Sequence, residues 1–506
     1  MLSRACGLGA LALLLLPICA SATPTRCEQI LKKLEKDLAD ATCVVSPDLT
    51  TTNLATTPQN NSIAGLPSGA FTPQIDRTVI APSAGKRPTI TTVVPGLQIQ
   101  ARIASDPTGQ ARFLLRLPDH WNGRLVVAGA SGTRSEFNGD FAWSDYVLQK
   151  GYAYASQNKG VLNLRITSLS SVTPPNALAC RLNPASGVWV NFYDNDDGQQ
   201  FTRWVEYMVK AGQIAQEGVK SAYGQPSRYT YAVGTSNGGY QVRRALETAP
   251  KVFDGGVDWE GTFVDEEAPN LLTDLPPAIL NFPDYVASAF DSSSTAAKNI
   301  IAAGYAPDIV LPMQPVGTTS RSLWGNYSNS FWEVTQCQWQ KRLDPAYNTY
   351  VSGTGTYNYT QRRSFSDVGD QMAAFATTGN IQGPLITVAG TMDSLLPIDH
   401  HARAYARKVE ASLDDGKGPD DGKGPGKKQP AYRLYEVQNG NHIETYQDFF
   451  PSLELIMPHA QRAFDLLVSN VEHGVALPPD QCIPRSGGIA SSPAQPGHCA
   501  ALFVGP

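Results

Sequence analysis

The run Gly234-Thr235-Ser236-Asn237-Gly238-Gly239 is the stretch of this chain best equipped for chemistry. An alternating apolar segment, Tyr229 to Val233, leads into it, and a helical pattern starts behind it at Tyr240. A G-x-S-x-G sequence between a strand and a helix puts its serine on a sharp, strained turn at the strand's end. Backbone must pass close on both sides of such a turn, and Gly234 and Gly238 permit that. The Asn237 N–H then lies at a helix N-terminus, where it can donate to a developing oxyanion. Ser236 is the predicted nucleophile, and Asn237 one predicted oxyanion donor.

A serine hydroxyl attacks well only beside a base, and the base needs a carboxylate to orient it. In this arrangement the acid and then the histidine follow the serine along the chain. Asp393 comes just after a buried apolar run, Pro384 to Gly390, so it stands at a strand's carboxyl end and is the predicted acid. A turn or N-cap aspartate is the ordinary alternative at such a place. Asp399 is held in reserve, since capping of the next helix explains it better. Of seven histidines, only His442 lies in a loop directly after a late strand, in Val437-Gln-Asn-Gly-Asn-His-Ile-Glu. His442 is the predicted general base. His400 and His401 open a helix beyond the acid and read as surface or supporting residues. His459, His473 and His498 fall in the C-terminal helix and tail, where solvated positions are the default. The second oxyanion donor should come from the loop after an earlier strand. Val126-Val-Ala-Gly-Ala-Ser-Gly fits, with the N–H of Ser131 or Gly132 as the candidate.

Residues so far apart meet only if several strands end at one rim. The strand patterns are Leu97 to Ile103, Arg112 to Leu117, Arg124 to Gly129, Tyr152 to Ser156, Arg228 to Gly234, Gly255 to Trp259, Pro384 to Gly390 and Tyr432 to Val437. Helical patterns alternate with them at Asp145 to Gly151, Phe201 to Tyr223, Tyr240 to Ala249 and His400 to Leu413. That alternation predicts an α/β-hydrolase fold: a mostly parallel sheet, helices on both faces, ligands at the strands' carboxyl ends. Tyr432 to Val437 is taken as the last strand. The expected division is an N-terminal helix, loops and first strands over 23–110, a hydrolase core over 111–264 and 381–506, and an insertion over 265–380.

The insertion is too long for an ordinary connection and is rich in aromatics, with Trp324, Phe331, Trp332 and Trp339 around Cys337. It reads as a lid over the sheet, with Trp324 and Trp332 as candidate substrate-binding residues. Aromatics that merely fill a small core of their own are the alternative. Residues 414–428 contain DDGKGP twice; without apolar residues this is a flexible surface loop of no assigned function.

Arg4, the apolar run Leu8 to Ile18 and Ala20-Ser21-Ala22 form a signal-peptide pattern, with cleavage expected after residue 22. Six cysteines follow it: Cys27, Cys43, Cys180, Cys337, Cys482 and Cys499. An even number in an exported chain argues for disulfides. Proximity favours Cys27 with Cys43 and Cys482 with Cys499, which leaves Cys180 with Cys337. The Cys27–Cys43 segment is expected to be one short helix stapled at both ends. The cysteines lack C-x-x-C or H-x-x-x-H company, so no metal is expected. A net charge of −5 from 45 acidic and 40 basic residues argues against nucleic acid. No later run reaches the ~20 apolar residues a membrane helix needs.

Trp121-Asn-Gly-Arg-Leu-Val-Val-Ala-Gly, Gly151-Tyr-Ala-Tyr-Ala-Ser, Tyr231-Ala-Val-Gly-Thr-Ser-Asn-Gly-Gly and Phe253-Asp-Gly-Gly-Val resemble the tannase and feruloyl esterase family. Where that family carries a cysteine pair beside its serine and histidine, this chain has Thr235 and Asn441. Ser236-Asn-Gly-Gly, Asp393-Ser-Leu-Leu-Pro, Tyr435-Glu-Val-Gln-Asn-Gly-Asn-His and Leu477-Pro-Pro-Asp-Gln are similar to bacterial 3-hydroxybutyrate oligomer hydrolases. Both resemblances imply a Ser236–Asp393–His442 triad, and they imply different acids in the substrate. The expectation is a secreted serine ester hydrolase that needs no cofactor, acting on a small-molecule or oligomeric ester. A non-catalytic hydrolase-like binding protein and a serine peptidase of the same fold are the rivals.

Overall fold

The computed structural model describes residues 25–59, 72–132, 135–161, 164–166, 180–191, 201–312, 319–347, 356–414 and 430–505. The predicted signal segment, the DDGKGP repeat beyond residue 414 and parts of the insertion lie outside them.

Runs of Val, Ile, Leu, Ala and Tyr with little polar alternation call for strands covered on both faces. Such strands form the middle of a ten-stranded sheet in the order β1-β2-β3-β5-β4-β9-β10-β11-β12-β13. Its members are β1 (Leu38–Ser46), β2 (Gly96–Ile103), β3 (Arg112–Pro118), β4 (Arg124–Ala128) and β5 (Ala153–Gln157), then β9 (Tyr229–Thr235), β10 (Gly255–Trp259), β11 (Leu385–Gly390), β12 (Tyr432–Val437) and β13 (Gln481–Ile483). β1, β2 and β3 pair antiparallel at one edge, and β3 pairs antiparallel with β5. From β5 to β13 every pairing is parallel. Chain order reverses between β4 and β9: β5 lies on one side and β10 on the other. A crevice forms at such a switch point, outside the carboxyl ends of the strands.

Helices cover both faces. α4 (Arg203–Tyr223), α5 (Asn237–Thr248) and α12 (Ala402–Asp414) bury Met208, Ala211, Val242, Leu246, Tyr405 and Val409 on one side, along with α1 (Arg26–Leu34). α3 (Asp145–Leu148) and α13 (Met457–His473) bury Val147, Leu148, Ala460, Phe464 and Leu467 on the other, around Trp143 and Trp259. No helix among the described residues is long and apolar enough to cross a membrane.

Between β10 and β11 the chain leaves the sheet and is helical: α6 (Leu271–Ala287), α7 (Thr295–Ala302), α8 (Leu323–Tyr327), α9 (Glu333–Leu343), α10 (Tyr359–Arg363) and α11 (Val368–Ala373). α2 (Pro73–Asp76) lies earlier, before β2. A separate antiparallel sheet, β6-β8-β7 (Leu164–Ile166, Trp189–Asn191, Cys180–Arg181), is bound to α9 by the Cys180–Cys337 disulfide.

The structure corrects the sequence reading in three places. Cys43 lies on β1, not at a helix end, so the Cys27–Cys43 disulfide joins a helix to a strand. Pairing of β1 with β2 overrides the helical spacing of Leu34 and Leu38, because non-local hydrogen bonds outweigh a local preference. β13 extends the sheet past β12; its three residues show no alternation that would announce a strand, and Cys482–Cys499 ties them down. His459 is buried on α13 rather than solvated, which pushes its pKa down to about 4.

Candidate active site

β9 ends at Thr235 and α5 begins at Asn237, which leaves Ser236 as the pivot with φ 60° and ψ −124°. That conformation is strained for a non-glycine residue, by roughly 1–3 kcal/mol, and persists only where its surroundings enforce it. They do. The Ser236 N–H donates to Trp259 O at 2.9 Å, and the Tyr240 N–H returns to Ser236 O at 3.0 Å. A Cβ on Gly238 would stand 2.7 Å from Gly129 O, so the β4 loop and the start of α5 pass each other backbone to backbone.

Asp393 and His442 arrive in the loops that follow β11 and β12. His442 Nδ1 and Asp393 Oδ2 are 2.7 Å apart, both side chains buried. The other carboxylate oxygen, Oδ1, accepts the N–H groups of Leu395 and Leu396, each at 2.8 Å. Asp393 thus combines the local hydrogen bonds of a turn aspartate with a long-range contact to His442. The reserve candidate, Asp399, instead pairs with Arg403 at the surface. His400 and His401 both face Asp274 of α6, at 2.9 and 3.2 Å, and His401 Nδ1 accepts the Phe263 N–H.

A cavity opens at the switch point. Ser236, His442, Asn237, Ser131 and Gly132 all line it, so three separated stretches of chain meet there. The Ser236 hydroxyl makes no hydrogen bond among the described residues; catalytic hydrogen bonds are often long in an empty site. The two oxyanion candidates of the β4 loop differ. The Ser131 N–H already donates to Asn138 Oδ1 at 3.1 Å, which leaves Gly132 and Asn237 as available donors. Beneath this loop the buried Lys159 ammonium donates to the carbonyls of Ser131 (3.0 Å) and Gly132.

The remaining walls are mostly apolar, with Thr262 and Thr335 as the polar exceptions. Leu395, Leu396 and Ile443 come from the loops of the acid and the histidine, and Ile80 from the segment before β2. Leu271, Phe331 and Thr335 come from the insertion. Trp324 and Trp332 do not line the cavity. Trp324 is buried with its indole N–H on Ala306 O at 3.1 Å, and Trp332 donates to Ser394 O at 2.6 Å. Their rings fill the insertion's core with Phe282, Tyr285 and Tyr305, because surfaces that large are most stable fully removed from water. Asn441, beside His442, takes a hydrogen bond from Tyr327 of α8 at 2.8 Å.

Sequence reasoning missed Glu260, directly after β10 and 3.5 Å from His442 Nδ1. Its position after a strand end is the same signal that singles out Asp393. Nothing local marks Lys159, Phe331 or Thr335 as neighbours of this site.

Comparison with known proteins places two resemblances beside this geometry. A family profile described as 3HB-oligomer hydrolase matches residues 349–502, a span that includes Asp393 and His442. A D-(-)-3-hydroxybutyrate oligomer hydrolase of Ralstonia pickettii is 33% identical over 125 residues, 23% of this chain and 15% of that protein. One from Burkholderia ambifaria is 30% identical over 135 residues, 25% of this chain and 18% of the relative. The matched part is thus well under a quarter of these relatives' length. Among solved structures, feruloyl esterase B from Aspergillus oryzae aligns over 89% of this chain and 91% of its own at 15% identity, TM-score 0.46. Tannin acyl hydrolase from Aspergillus niger aligns over 89% and 88% at 13% identity, TM-score 0.44.

Proposed function

We propose that this protein is a serine carboxylic-ester hydrolase whose substrates are short oligoesters of a 3-hydroxy acid such as 3-hydroxybutyrate. The observation that carries the reading is a single apolar cavity onto which Ser236 and His442 both open, with Asp393 at 2.7 Å behind the imidazole. In the first step His442 Nε2 takes the Ser236 proton as Oγ attacks the ester carbonyl, while Asp393 holds Nδ1–H and the imidazolium that forms. The N–H groups of Asn237 and Gly132 receive the oxyanion. His442 then protonates the departing alcohol, and water releases the acid by the reverse sequence.

Aliphatic Leu271, Leu395, Leu396, Ile443 and Ile80 suit a short branched acyl unit better than a planar phenol, and the 3-hydroxybutyrate likeness covers the acid and the base. The insertion acts as a lid over the acyl site through Phe331 and Thr335. Three disulfides fit a secreted protein, since such bonds persist in oxidising compartments. Turnover of a 3-hydroxybutyrate dimer, methyl ferulate and methyl gallate by the wild type and Ser236→Ala tests the reading. The dimer should be cleaved fastest, and S236A should lose about 10⁶-fold in kcat together with fluorophosphonate labelling. Preferred cleavage of ferulate or gallate would overturn the substrate class, and an active S236A the mechanism.

A further inference from the structure

The rim carries a second carboxyl that this mechanism leaves unused. Glu260 follows β10 as Asp393 follows β11, and the two strands are parallel neighbours with Trp259 opposite Val388. The Glu260 N–H still donates to Val388 O at 2.8 Å, yet its φ of 51° has left the strand conformation. That left-handed backbone delivers the side chain into the buried space behind His442. One oxygen, Oε1, accepts the Gly390 N–H at 3.0 Å. The other, Oε2, lies 3.5 Å from His442 Nδ1 and has no well-formed hydrogen bond among the described residues. Nitrogen and oxygen atoms of Glu260, Asp393 and His442 all fall within 4.8 Å of one another.

We propose that Glu260 is a second carboxyl partner of His442, a positioning residue that supports the imidazole beside Asp393 and becomes its charged partner when Asp393 is removed. The proposal rests on the ester-hydrolase reading of Ser236, His442 and Asp393. Two buried carboxylates this close cannot both ionise cheaply. Asp393 meets two backbone N–H groups and the imidazole; Glu260 meets one backbone N–H, with the Trp259 indole nearby but not in a well-formed hydrogen bond. Burial first, then the Asp393 charge, hold the Glu260 carboxyl well above its usual range, so it keeps its proton. The ionisable groups around it are Asp393 from the β11 loop, His442 and Glu444 from the β12 loop, and Tyr327 of α8. Burial pushes Glu444 up to about 8, so near neutral pH Asp393 is the chief neighbouring charge that adds to the burial penalty on Glu260. Without Asp393, Glu260 can ionise and accept Nδ1–H after a movement of less than ~1 Å, which brings 3.5 Å to hydrogen-bond length.

The test compares kcat, KM and pH profiles of Asp393→Ala, Glu260→Gln and the double variant on the ester turned over by the wild type. A triad carboxylate alone is worth about 10⁴-fold. D393A should lose only about 10³-fold, and the double variant at least tenfold more. The D393A rate should climb with pH as Glu260 loses its proton, and the double variant should lack that limb with KM little changed. Equal kcat and equal pH profiles for D393A and D393A/E260Q would overturn the role of Glu260 and leave the triad reading intact. An absence of Ser236-dependent hydrolysis in the wild type would overturn both. If D393A does not fold, D393N takes its place, since its amide oxygen still accepts from Leu395 and Leu396.

Discussion

The two sides of the cavity are built on different principles. The sheet side is backbone against backbone: Ser236 is pinned by main-chain hydrogen bonds, and Gly238 passes Gly129 with no room for a methyl group. The insertion side is side chain against side chain, a core that buries Trp324, Trp332 and Trp339, and of its described residues only Phe331, Thr335 and Leu271 reach the cavity. Geometry on the first side tolerates almost no substitution. The second exchanges contacts as packing allows, so its largest residues do not mark the site.

Replacing Gly238 by Ala breaks the sheet side most severely. The new Cβ, 2.7 Å from Gly129 O, forces apart the serine turn and the oxyanion loop, and neither backbone can yield cheaply. A displacement near 1 Å is worth about 10²-fold, so kcat should fall by that much or more, with little change in far-UV circular dichroism. Full activity in G238A would show that the close approach is not needed.

Adjacent residues separate the insertion's two roles. Trp332→Ala empties a fully buried site and should cost about 3–5 kcal/mol in denaturant unfolding. Phe331→Ala opens the cavity wall and should raise KM about tenfold, with a much smaller loss of stability. The reverse pattern would mean that the indole, not the phenyl ring, meets the ligand.

The gentlest test is acid titration. Burial depresses His459 to about 4, below the ordinary value near 6.5, so the folded protein resists a proton that the unfolded chain accepts. Stability from this residue is complete above pH 6.5 and declines as pH falls towards 4, by about 1 kcal/mol at pH 5.5. His459→Gln should flatten the pH dependence of Tm in that window, and an unchanged slope would assign it to other groups.

Much of the sheet was legible in the chain. Strands covered on both faces announce themselves by apolar runs, and β9, β10, β11 and β12 fall where such runs occur. β13 does not, because three residues held by one neighbour and a disulfide carry no periodic pattern. Ser236, Asp393 and His442 stand at strand ends that the same runs delimit. Glu260 stands at such an end too, but which carboxyl approaches the imidazole more closely depends on side-chain directions that spacing cannot give.

By itself, then, the sequence determined the alternation of strands and helices, the sharp turn at Ser236 and the order in which the other polar groups follow it. Each is a local consequence of covalent geometry or of the period at which apolar residues recur. Tertiary structure alone decided that a second carboxyl lies 3.5 Å from the imidazole, that the Ser131 N–H is occupied, and that phenylalanine rather than tryptophan faces the cavity. Those outcomes turn on distances of a few tenths of an ångström to a few ångströms between residues far apart in the chain, set only when the whole interior packs at once.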